Sequence, residues 1–202
     1  ESDVSLFVRP SAQVASYSAT LAGVTPDTQA VYLNGSLYVL LSGKVLRYEW
    51  DGEGWQQADS AVSSESVTRF IVLGDYIISF TSGSSVGVFD TTKCLNYETC
   101  TLTVPDISLS NIKDILGVTS STVYVLHLEG DVVKVTEFSV RVSLNSRQVQ
   151  FTRVRVIGSS DNVEMSAILG YRGSFETIMN GENNVFSVLD LSEGTREVEP
   201  FN

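Results

Sequence analysis

Apolar and polar residues change places on a short beat along most of this chain. Between Ala30 and Gln57 it reads AVYLNGSLYVLLSGKVLRYEWDGEGWQQ: three apolar stretches divided by Asn-Gly and Ser-Gly-Lys, then Asp-Gly-Glu-Gly before Trp55. Ser36 to Leu41 is almost continuously apolar, which predicts a strand covered on both faces. Val45 to Trp50 alternates, so Leu46, Tyr48 and Trp50 are expected on one face and Val45, Arg47 and Glu49 on the other. Asn34-Gly35 suits a tight primed turn, whose two central positions both take positive φ. Connections this short make neighbouring strands antiparallel.

The same order of strand, tight turn, strand, turn, strand returns three more times. It is found in TRFIVLGDYIISFTSGSSVGVFDTTKC, in KDILGVTSSTVYVLHLEGDVVKVTEF and in MSAILGYRGSFETIMNGENNVFSVLDL. Tyr38, Tyr76, Tyr124 and Phe175 mark the central strands, at spacings of 38, 48 and 51 residues. A more polar strand can follow each unit, at Trp55–Gln57, Thr101–Val104, Val149–Ile157 and Arg196–Phe201. In this rhythm the chain resembles β-propeller repeat proteins in general, from about residue 30 to 202. The Gly-Gly pair of kelch blades and the Trp-Asp ending of WD40 blades are both missing. The resemblance implies an all-β, propeller-like fold of about four antiparallel four-stranded units, with a β-sandwich or jelly roll as the alternative that shares the rhythm.

Residues 1–202 are expected to form a single all-β domain, either a small closed ring or part of a larger propeller. Val4–Val8 reads as a strand that could complete the last blade and close such a ring by joining the sheet that contains Val185–Leu191. The stretch SLSNIKDILG is expected to make one or two helical turns. Ile112, Ile115 and Leu116 would share a face, and Gly117 would act as the stop.

Composition narrows the partners. Hydrophobic residues make up 43% of the chain, enough for a packed core. The formal net charge of −11 repels nucleic acid and anionic membranes at long range, and no basic cluster offsets it. No apolar run approaches the length of a membrane span, and Glu-Ser-Asp-Val-Ser is not a secretory signal. Cys94 and Cys100 lie in the polar stretch TTKCLNYETC, which is read as a local disulfide and hence an oxidising, extracellular or cell-surface setting. Asn34-Gly35-Ser36 is an N-glycosylation sequon that coincides with the expected hairpin turn.

Candidate chemistry is sparse. His127 is the only histidine; it sits inside a strand, and no Gly-x-Ser-x-Gly elbow accompanies it. The acidic loops WDGEGW, GSSDNVEM and NGENN offer oxygen ligands without the alternating spacing of a calcium loop. No cofactor is expected, with calcium the one ion worth considering. LFVRP resembles the arginine-containing motif near the start of sialidases, and the likeness implies a carboxylate-pairing role for Arg9. The Asp-box repeats of that family are absent. Tyr48, Trp50 and Trp55 form the densest aromatic group; Trp55, flanked by Gly and Gln, is the candidate for the surface. Arg141, Arg147, Arg153 and Arg155 make a locally basic segment. Arg153 and Arg155, two apart, are expected to share a strand face that could receive an acidic partner.

These features point to a non-catalytic extracellular or surface module that binds a protein or a glycan through Trp55 or through Arg153 and Arg155. The alternatives are a structural subunit completing a larger propeller or oligomer, and a sialidase-like glycosidase.

Overall fold

The structure, a computed structural model, describes residues 5–8, 17–21, 23–24 and 28–161 and the four strands beyond them up to residue 198. Its regular structure is strand apart from one 3-10 turn among the described residues, as the apolar beat requires, and the chain divides into two compact units. The first comprises Glu1–Phe70 and Asp75–Thr99, the second Ile71–Gly74 and Cys100–Asn202.

In the first unit β1 (Ser5–Val8) pairs antiparallel with β2 (Tyr17–Thr20). Among the described residues the partner of this first strand is its own hairpin neighbour, β2. Next comes a four-stranded antiparallel meander of β3 (Ala30–Leu33), β4 (Ser36–Leu41), β5 (Lys44–Trp50) and β6 (Trp55–Gln57). Asn34 and Gly35 turn the first hairpin with φ of 49° and 84°, the pair of positive angles that a two-residue primed turn needs. Leu37 and Val39 on one face of β4 pack with Val24, and Tyr48 and Trp55 lean on them. Tyr38 on the other face meets Phe89 at 6.1 Å between ring centres. Both faces are therefore covered, as a continuous apolar run implies.

The chain continues through β7 (Arg69–Leu73), β8 (Tyr76–Phe80), β9 (Ser85–Asp90) and β10 (Glu98–Thr103). β8 and β9 form an antiparallel hairpin that supplies Ile77, Ile78, Val88 and Phe89 to the buried interior. The side chain of Gln29 bonds both backbone groups of Phe70: its Oε1 accepts from the Phe70 N–H at 2.9 Å, and its Nε2 donates to the Phe70 carbonyl.

In the second unit a 3-10 turn at Leu109–Asn111 leads into β11 (Ile112–Gly117). The helical turns expected here shrink to those three residues. Residues from Ile112 onward pair with β12 (Thr122–Glu129), and the hydrogen bonds of that ladder override a helical spacing of only one turn. β13 (Val132–Ser143) and β14 (Gln148–Ser160) complete an antiparallel meander, and residues 101–103 of β10 join the far side of β14 in parallel. Phe138 and Phe151, both fully buried, meet at a 45° tilt with ring centres 6.0 Å apart on one face of this sheet. Leu126, Val133 and Val135 form a second cluster on the other face. A further meander runs β15 (Met165–Tyr171), β16 (Ser174–Asn180), β17 (Phe186–Asp190) and β18 (Arg196–Val198).

Candidate functional site

The aromatic group of the first unit is built by a strand register. Trp50 and Trp55 are direct cross-strand partners at the end of the β5–β6 hairpin, and their rings meet edge-on at 5.4 Å. Asp51 shapes the turn between them, because its Oδ1 accepts from the N–H groups of Glu53 at 2.9 Å and Gly54 at 2.8 Å. These bonds hold its carboxyl below the usual range. Tyr32, on β3, meets Trp55 edge-on at 6.3 Å and is 43% exposed. Trp55 is half-buried: part of it rests on the Val24, Leu37 and Val39 cluster, and the rest belongs to a row of rings that reaches solvent at Tyr32. A rigid, partly wet aromatic row of this kind suits stacking on a sugar or anchoring a protein partner.

On the opposite face of the same meander, where alternation puts Val45, Arg47 and Glu49, lies a charged residue that is buried. Arg47 is only 8% exposed, and its guanidinium lies 6.0 Å from the centre of the Phe89 ring. One nitrogen reaches Glu49 Oε1 at 3.3 Å; Nε and Nη1 have no hydrogen-bond partner among the described residues. Tyr38 is its cross-strand partner, and burial pushes that phenol above its ordinary pKa. This is a buried cation held by a ring face, closed to any ligand arriving from solvent. Alternation puts Arg47 on the same face as the buried Val45, but by itself it does not say that this face is covered.

Asn34 is exposed at its turn, and its Nδ2 donates to Asp75 Oδ1 at 3.0 Å and Thr91 Oγ1 at 2.8 Å. The carboxamide nitrogen of the sequon is thus engaged in fastening β3–β4 to the β8–β9 hairpin.

The expected disulfide is not formed. Cys94 is an exposed thiol in a left-handed turn (φ 50°) and donates to the Thr91 carbonyl at 3.0 Å, whereas Cys100 lies on the buried face of β10 with Leu102. Six residues of separation brought the two close in sequence, but strand alternation turned Cys100 inward. Reducing agent should accordingly shift the unfolding free energy by less than about 0.5 kcal/mol, the scale of a neutral surface change. Thermal melts with and without dithiothreitol check this, and a clear drop on reduction would restore the bridge.

In the second unit His127 is fully buried on β12, and its Nε2 pairs with Thr136 Oγ1 at 2.8 Å. Its Nδ1 has no partner among the described residues. Burial holds it below its ordinary pKa; Glu129 pulls the other way, while Arg153 and Lys134 reinforce the shift. A ring sealed in this way supports the sheet and does not reach a substrate. Protonation is resisted in the folded state, so the contribution of His127 to stability is complete above about pH 6.5, the unfolded value. It is lost as pH falls from there toward the depressed folded value, at up to about 1.4 kcal/mol per pH unit. Urea unfolding at pH 7.5 and pH 5.5 should show this loss, and His127→Gln, which cannot titrate, should lose less. Equal losses in both proteins would exclude the histidine as the cause.

Arg153 and Arg155 do not share a face. A bulge in the β13–β14 ladder sets Arg153 opposite Phe138 and Arg155 opposite Glu137, two consecutive residues of β13 whose side chains point to opposite sides. Each arginine is paired: Arg153 reaches Glu129 at 3.5 Å beside Lys134 at 3.1 Å, and Arg155 reaches Glu137 at 2.7 Å. The continuous basic strip read from their spacing is therefore divided between the two faces.

Among the described residues no three His, Cys, Asp or Glu side chains converge as a metal site. Arg9, the loop after Asp161 in GSSDNVEM and most of NGENN lie outside the described residues. No described helix is long and apolar enough to cross a membrane.

No family model matches this chain, and no curated protein sequence does. Among solved structures it resembles the extracellular domain of the one component system BT4673 from B. thetaiotaomicron, with 14% identity and a TM-score of 0.55 over 99% of this chain and 28% of that one. PorZ, a bacterial surface component of the type-IX secretion system of Porphyromonas gingivalis, aligns at 14% identity and TM-score 0.41 over 93% of this chain and 25% of its own. Hsv2 of Kluyvelomyces marxianus aligns at 14% identity and TM-score 0.35 over 79% of this chain and 46% of its own. The chain thus spans about a quarter of the length of the first two. At these identities the first likeness speaks for the fold alone, and with the meanders above it fits a β-propeller-like fold in general.

Proposed function

We propose that this chain is a non-catalytic recognition module with about four antiparallel four-stranded units, belonging to a larger extracellular or surface propeller, and that it engages a glycan or protein partner through Tyr32, Trp50 and Trp55. The observation that carries the reading is the half-exposed aromatic row, locked by the Trp50–Trp55 register and ending at a Tyr32 ring open to solvent. Such rings offer large contact area at little loss of side-chain freedom. The extracellular setting draws support from the B. thetaiotaomicron neighbour, an extracellular domain of similar fold. It no longer rests on a disulfide.

The test is binding of the full chain to arrayed glycans and surface proteins, read beside tryptophan emission. Binding should weaken about tenfold or more in Trp55→Ala, with the far-UV spectrum unchanged, as for an interface anchor. Undiminished binding in that variant would remove the aromatic row from the site. Turnover of a bound glycan would favour the glycosidase reading instead.

A further inference from the structure

We infer that the exposed face of the β10–β14–β13 sheet is a second binding site, which takes a hydroxylated monocarboxylate of the hexuronate type, with Arg141 holding the carboxylate. The site belongs to the second unit and does not depend on the aromatic row of the first.

The strand registers build it. Arg141 lies directly opposite Gln150, and Ser143 opposite Gln148. On the other side of β14, Thr103 aligns with Gln150 and Thr101 with Gln148. Directly paired residues point to the same side of a sheet, so two parallel rows result: Thr103–Gln150–Arg141 and Thr101–Gln148–Ser143. Donors are spaced about 4.8 Å across the strands and about 6.7 Å along them, the scale of one sugar ring. Ser146, in the turn joining β13 to β14, closes the end and donates to Ser143 Oγ at 2.7 Å. Arg141, Ser143, Ser146, Gln148 and Gln150 line a shallow cavity of about 190 Å³. The floor is rigid, because the alternate residues Leu102, Val140, Val149 and Phe151 are buried on the other side.

The chemistry of the lining selects the ligand. Every lining group is a guanidinium, carboxamide or hydroxyl, and carboxamides and hydroxyls both donate and accept, as sugar hydroxyls do. No aromatic or aliphatic side chain lines the cavity, so it lacks the anchors on which a protein partner's affinity would rest. Its volume is below the roughly 300–1,000 Å³ typical of drug-sized pockets, which limits the occupant to a single small residue. Arg153 and Arg155 are engaged by Glu129 and Glu137, but Arg141 makes no ion pair among the described residues. One unopposed guanidinium on a chain of net charge −11 balances one negative charge, which favours a monocarboxylate over a doubly charged phosphate.

Amide-detected NMR titration of the full chain with sodium glucuronate tests this. Glucuronate should shift the amides of residues 101–103 and 141–150. Glucose, which lacks the carboxylate, and acetate, which lacks the hydroxyls, should each bind about tenfold or more weakly. Arg141→Gln, a change at an exposed position, should cost about tenfold or more in affinity, consistent with the loss of a charged hydrogen bond. Arg155→Gln should cost nothing, and neither should Trp55→Ala, which separates this site from the aromatic surface. No shift at these amides overturns the proposal. So does acetate binding as well as glucuronate, which would mark a plain anion site, or an oligoglutamate peptide displacing glucuronate with higher affinity.

Discussion

Replacing Gly117 by alanine should destabilise the protein by about 3 kcal/mol or more, at the upper end of what overpacking costs. Gly117 closes β11, and an ideal Cβ there would stand 2.2 Å from the Val72 carbonyl oxygen and 3.3 Å from its carbon. Both are backbone atoms, so no side-chain rotation relieves the clash; a strand must move and give up hydrogen bonds. Gly87 makes a useful control. Its Cβ would meet Ser79 Oγ at 2.5 Å, the tip of a side chain that can turn away, so Gly87→Ala should cost markedly less. Urea unfolding of both variants measures the difference. If Gly117→Ala unfolds within about 0.5 kcal/mol of the parent protein, the scale of a neutral surface change, then β11 does not approach Val72 as described.

Gly117 also shows how far the sequence could be read. Its place after Ile112, Ile115 and Leu116 suited a helix stop as well as a strand end. The sheet prevailed because β12 supplies a full antiparallel ladder to residues that could have made only a turn or two of helix. The meanders themselves were legible, since Asn34-Gly35 and similar turns divide apolar runs of strand length and fix which neighbours pair. What stayed hidden depends on register between strands. The bulge that separates Arg153 from Arg155 is invisible to a rule based on counting by twos. The inward turn of Cys100 follows from β10 alternating toward a core that the loop sequence does not reveal.

The candidate sites divide along the same line. The aromatic row was partly legible, because Trp50 and Trp55 flank a turn whose Asp-Gly-Glu-Gly sequence calls for a hairpin; Tyr32 joined it only through the β3–β4 pairing. The Arg141 surface was not legible as a site. Its two rows need residues of β10 set in parallel against β14, some forty-seven positions later in the chain. Periodicity within one strand says which side chains share a face, but not which distant strand extends that face.

The rows around Arg141 are only as firm as the core beneath them, and truncating Phe138 should reveal how much stability that core supplies. Phe138 is fully buried on β13, the strand flanked by β12 and β14, opposite Val123 on one side and Arg153 on the other. Its ring packs 6.0 Å from that of Phe151, which together with Val140 and Val149 lies directly behind the polar face. Phe138→Ala removes the ring and leaves a cavity that the long strands β13 and β14 cannot close without breaking their ladder. The expected cost is about 3–5 kcal/mol. A protein of ordinary stability, about 5–15 kcal/mol, would lose a large fraction of it. Phe138→Leu keeps most of the volume and should cost about 1.5 kcal/mol or less, in line with volume-conserving exchanges. Chemical denaturation of the pair separates cavity formation from loss of aromatic contact: nearly equal losses would mean that the ring–ring geometry, and not the filled volume, stabilises this sheet. Because the polar rows lie on the other side of the same strands, Phe138→Leu should leave the glucuronate-induced amide shifts at residues 141–150 in place, while Phe138→Ala should broaden or erase them as the β13–β14 hairpin loosens.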